Sequence, residues 1–98
     1  MRVEISPGGD LLLSAEVAER CFGSAPSALV AVREGELWAV ALGPGAVGGL
    51  LLKQRNRAGD RSMLVIEPLR DTVWEPGVRE AHWDPAERAL RVPLVVPE

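Results

Sequence analysis

Tyrosine is absent, and phenylalanine, histidine, cysteine and lysine each occur once, as Phe22, His82, Cys21 and Lys53. A lone cysteine closes no disulfide within the chain, and one cysteine with one histidine falls short of an ordinary structural zinc site. Asn56 and Gln54 are the only side-chain amides, and ten of the eleven basic residues are arginine. That bias fits a GC-rich coding sequence or a heat-adapted protein. No uninterrupted apolar run reaches the roughly 18 residues of a membrane span. The start lacks the charged and apolar regions of a signal peptide, so neither membrane insertion nor export is expected and the cytoplasm is the default compartment.

What is present is ordinary for a small globular domain: 98 residues, 47% apolar and 26% charged. A chain of this length buries roughly 60–65% of its unfolded surface, enough for one core and no more, so residues 1–98 are expected to form a single domain. The net charge of −3 excludes a globally basic nucleic-acid binder.

Alternation sets most of the chain as strands. Arg2 to Ser6 places Val3 and Ile5 on one face and stops at Pro7-Gly8-Gly9, so a hairpin to Asp10–Leu13 follows. Ser14 then stands as an N-cap. Val17, Ala18, Cys21 and Phe22 form one apolar stripe, with Glu16, Glu19 and Arg20 opposite and Gly23 at the C-terminal end, so a short helix is expected over residues 15–22. A second hairpin joins residues 28–33 to 36–42 around Glu34-Gly35. Four glycines and a proline in residues 43–49 mark an internal joint. A third hairpin pairs residues 50–55 with 61–67, and Pro68 and Pro76 bracket an irregular stretch. A fourth pairs residues 78–83 with 88–92, and Pro93 and Pro97 place the last strand at an edge or end it. The expected fold is α+β and predominantly β, a succession of antiparallel hairpins with one short helix.

Charge concentrates in one place. Lys53 to Arg61 carries four basic residues and one acid, whereas residues 1–52 and 62–98 are each at −3. As a strand, Lys53, Arg55 and Arg57 share a row, and Asp60 can face Arg57 across a turn in which Gly59 supplies a positive φ. With Arg61 these are the candidate binding residues, suited to phosphate or to an acidic protein surface. His82 and Asp84, two apart on one strand face, could pair as an oriented base. Cys21 on its short helix has no positional reason to meet His82, and it reads as a small core residue. Trp38, Trp74 and Trp83 read as core or subunit-contact residues. Neither Gly8-Gly9 nor Gly48-Gly49 opens a helix after a strand, so no phosphate loop, cofactor or catalytic set is expected.

The run from Val3-Glu4-Ile5-Ser6-Pro7-Gly8-Gly9 through Glu16-Val17-Ala18-Glu19-Arg20-Cys21-Phe22-Gly23, followed by a hairpin, resembles the swapped-hairpin domain of AbrB-type transition regulators and MazE-type antitoxins over residues 2–42. The resemblance implies a dimer of interleaved hairpins and DNA binding through basic residues near the N-terminus. Here Gly9 is followed by Asp10, where the family has a basic or amide residue. A regulator would therefore need the tip at Lys53, Arg55 and Arg57 as its DNA face. The leading functional expectation is a non-enzymatic, homodimeric interaction or accessory module that contacts a protein partner through the hairpin at residues 50–67. A DNA-binding regulator is the alternative.

Overall fold

Helix α1, Ala15–Phe22, begins where Ser14 Oγ accepts the Val17 N–H and ends where Gly23, at φ 55°, donates its N–H to the Ala18 and Glu19 carbonyls. Val17, Ala18, Cys21 and Phe22 are its buried residues, the stripe expected from spacing. Before it, β1 (Arg2–Ile5) and β2 (Asp10–Leu13) pair antiparallel with Ile5 opposite Leu11. After it, β3 (Ser27–Arg33) and β4 (Glu36–Leu42) form the second hairpin, turned by Glu34 and Gly35, both at positive φ. A computed structural model describes residues 1–96 of the chain.

The third and fourth hairpins differ from the expectation in an informative way. Residues 50–55 do not form one strand: β5 (Leu50–Leu51) pairs with β3, whereas β6 (Lys53–Gln54) pairs with β7 (Arg61–Leu64). Residues 78–83 divide in the same manner, β8 (Gly77–Glu80) pairing with β1 and β9 (His82–Asp84) pairing with β10 (Ala89–Pro93). Two five-stranded sheets result, in the orders β6-β7-β2-β1-β8 and β5-β3-β4-β10-β9. The chain passes between them at Leu52 and at Ala81, both buried. The Leu52 N–H donates to the Pro26 carbonyl and the Ala81 N–H to the Met1 carbonyl, so each corner keeps its backbone satisfied. Strands that switch sheets at bends are how crossed sheets make corners. Because each terminal strand of one sheet runs on into a terminal strand of the other, the two sheets enclose one core.

That core is built from inward-facing cross-strand pairs. Ile5, Leu11 and Met63 come from the first sheet and Leu37, Leu90 and Val92 from the second, each almost fully buried. The remaining strand expectation ends early: β7 stops at Leu64, and Ile66–Leu69 forms a single turn of helix, α2. Pro68 has no N–H to lose in a first turn, so it fits there although it would break a strand ladder. As β2 and β7 are antiparallel, α1 and α2 leave the first sheet at opposite ends and close the barrel-like interior from both sides. Gly9 makes the α2 end possible: at φ 87° it carries no Cβ, and one placed there would lie 2.7 Å from Ile66 Cδ1. Contrary to the edge reading, β10 lies between β4 and β9; it ends at Pro93, and Pro97 is outside the described residues. Residues 43–49 are the loop from β4 to β5, exposed over 43–48. The fold is α+β and predominantly β. No helix among the described residues is long and apolar enough to cross a membrane.

Candidate functional site

The β6–β7 turn is locked by its own side chains. Asn56 Nδ2 donates to Asp60 Oδ2 at 2.9 Å, and the Asp60 N–H returns a bond to Asn56 Oδ1 at 3.2 Å. Gln54 Nε2 donates to the Asn56 carbonyl, the Arg55 N–H to the Asp60 carbonyl, and Gly59 takes φ 98°. Asp60 does not pair with Arg57 as the turn geometry had implied. Its second oxygen accepts the Ala15 N–H at 2.8 Å, at the start of α1. The Asn56 amide first, and then this backbone donor, hold its carboxyl below the usual range.

None of the four candidate cations has an ion-pair partner among the described residues, and Lys53, Arg55 and Arg57 are exposed with no side-chain hydrogen bond either. They do not form the single row expected of a strand, because pairing stops at Gln54 and Arg57 sits in the turn itself. Arg61 belongs elsewhere. Its guanidinium donates to the carbonyls of Gly23, Ala25 and Leu52 at 3.1, 2.8 and 3.2 Å, tying the end of α1 to the corner where the chain changes sheets.

Sequence-distant residues complete the surface beside the tip. Strand register puts Lys53, Ser62, Leu12, Glu4 and Val78 in one outward row across the first sheet. Arg55 lines a shallow groove of about 270 Å³ there together with Arg2, Glu4, Leu12, Ser14, Asp60 and Val78. Arg2 was not singled out from the sequence, since nothing in the order of residues brings β1 beside the tip. Alternation alone marks Arg2 as outward-facing.

On the second sheet Trp38 lies between two guanidinium groups, Arg33 at 4.3 Å and Arg91 at 4.6 Å from the ring centre. Glu36 Oε1 accepts from Arg91 at 2.6 and 3.0 Å, and this bond, with Asp84 nearby, raises the affinity of Arg91 for its proton. Asp84 Oδ1 accepts the N–H groups of Ala86 and Glu87, and its other oxygen faces Arg91 at 3.5 Å. Asp84 therefore serves a turn and an arginine, and it does not orient His82. Cys21 is buried against Met1, with its Sγ 3.7 Å from Met1 Sδ, and burial raises its pKa. Burial thus disfavours the thiolate a nucleophile would need. Among the described residues no group of three or more His, Cys, Asp or Glu side chains is placed to hold a metal. No family model, curated protein or solved structure matches the chain.

Proposed function

We propose that the protein is a non-enzymatic interaction module that works as a homodimer and docks an acidic partner surface with the part of residues 50–67 that does form a hairpin, the turn between β6 and β7. Arg55 and Arg57 supply the charge and Arg2 extends it along the groove of the first sheet, whereas Lys53 stands at the base of the tip, beside Leu51 and Leu64. One observation carries this reading: Asn56 and Asp60 lock the turn through paired hydrogen bonds, and the exposed Arg55 and Arg57 guanidinium groups that it displays make no side-chain hydrogen bond or ion pair among the described residues. A pre-organised display loses less on binding than a floppy one. Arg61, bonded to three carbonyls, is outside the docking set.

The test uses poly-glutamate and duplex DNA as probes at low and physiological salt. Poly-glutamate should bind more tightly than DNA. Binding should weaken with salt and fall by at least about tenfold in the double substitution Arg55→Glu and Arg57→Glu. Preferential binding of DNA, lost in the same variant, would replace this reading with the nucleic-acid regulator. Failure to bind either probe at low salt would leave the tip without a docking role.

A further inference from the structure

Beside the tip lies an apolar strip that no described element covers. Leu51 is 59% exposed, Leu64 54% and Ile66 37%, and with Leu50 they line a groove of about 320 Å³. Their outward placement follows from register. Lys53 faces Ser62 and Leu64 faces Asp10, so the outward positions of β6 and β7 join Leu51 and the start of α2 in one surface. Register sets Lys53 on one side of β7 and Asp10 on the other, and Glu67 of α2 also lines this groove.

We propose that this strip receives a second copy of the chain, packed about a two-fold axis near Leu64. The proposal rests on the homodimer reading above and assigns it a surface. Two-fold contacts bring each patch against itself, so a self-docking surface must be its own charge complement. This one is: rotation about Leu64 carries Lys53 of one copy toward Asp10 and Glu67 of the other, with Leu51, Leu64 and Ile66 meeting between them. An acidic partner would instead face Asp10 and Glu67, and an apolar membrane surface would strand both carboxylates. Asp10 already accepts from Ser6, and Glu67 shares an ion pair with Arg70 in which both side chains are about two-thirds exposed, so both oxygens sites stay open to a further cation. Backbone augmentation is a poor alternative route. The terminal strands of the sheets are two to four residues long, and each continues around a corner into the other sheet.

Sedimentation equilibrium of the full chain over a concentration series tests this. The wild type should be a dimer, and Leu64→Asp should raise its dissociation constant by at least about tenfold. Lys53→Glu should also weaken the dimer, and adding Glu67→Lys should restore it. As Leu64 is half exposed, far-ultraviolet circular dichroism and the melting temperature of dilute Leu64→Asp should match those of dilute wild type. A wild-type monomer at the highest soluble concentration would overturn the proposal, as would a dimer unaffected by Leu64→Asp. A dimer unaffected by Leu64→Asp would overturn the self-docking strip and leave the homodimer standing, a monomer that still binds poly-glutamate would overturn the homodimer and leave the docking tip, and a dimer that fails to bind it would overturn the docking tip alone.

Discussion

Arg79 is the one charged side chain buried among the described residues, at 3% exposure. It faces inward on β8 because its register partner is Val3, a core residue. No carboxylate bonds it. Its guanidinium donates instead to the carbonyls of Pro93 at 2.8 Å, Glu75 at 2.6 Å and Gly77 at 3.1 Å, and burial lowers its pKa. Arg61 likewise donates to three carbonyls at the other corner of the molecule. Both side chains satisfy carbonyls that the ladders leave over, so truncation would orphan several acceptors together. Arg79→Ala should therefore cost about 2–4 kcal/mol in urea unfolding, whereas Arg57→Ala at the exposed tip should stay within about 0.5 kcal/mol. Equal effects would mean that the buried guanidinium clamps nothing. The sequence held no sign of this division: Arg55, Arg57 and Arg61 stand in one basic segment, all at odd-numbered positions, and only the distant carbonyls of Gly23 and Ala25 separate the third from the others.

Between elements, Asp60 couples the tip to α1, since one carboxylate closes the turn through Asn56 and caps the helix through Ala15. A helix N-terminus favours a negative charge, so the ionised form is the one the fold prefers. The Asn56 bond and then the Ala15 bond hold its pKa below the ordinary carboxylate value. The resulting stability is present above that ordinary value, about 3.9, and is lost as pH falls through the lower folded value. Asp60→Ala should accordingly lower the melting temperature at neutral pH, and the gap from wild type should narrow as pH drops below about 4. Glu80, held low by its bond to the terminal amine, should keep a residual acid slope in both proteins. A gap that ignores pH would show that ionisation of Asp60 has no part in the coupling. The α2 end offers a steric test. Gly9→Ala would force a Cβ against Ile66 at positive φ and should cost about 1–3 kcal/mol, again read in urea. Of these elements α1 was fully legible, because Ser14, the apolar stripe and Gly23 are all local signals. The turn of α2 was not, because Met63 to Ile66 has the composition of a strand and only its position past the sheet end makes it helical.

For the molecule as a whole, the hairpins were legible as pairs of alternating segments, but the closure of two sheets on one core was not. A strand that bends from one sheet to the other at Leu52 or Ala81 keeps an unbroken apolar pattern, since both corner residues point into the same interior. The proposed docking surface was legible to the same degree: the basic tip from charge alone, its apolar neighbour only after register had set Leu51, Leu64 and Ile66 side by side. The one-residue corners at Leu52 and Ala81 also predict how the fold comes apart. The core joins residues of both sheets and both helices, so neither sheet has an interior of its own to retain if the other opens. Leu52→Ala removes buried volume at one corner and should cost about 2–3 kcal/mol, or roughly 30- to 150-fold in amide-exchange protection. The amides of Leu11 in the first sheet and Leu90 in the second should lose protection by the same factor, because both exchange only when the shared core opens. If Leu90 alone became faster, the sheets would open separately, and the corners would be mere connections with no part in cooperativity.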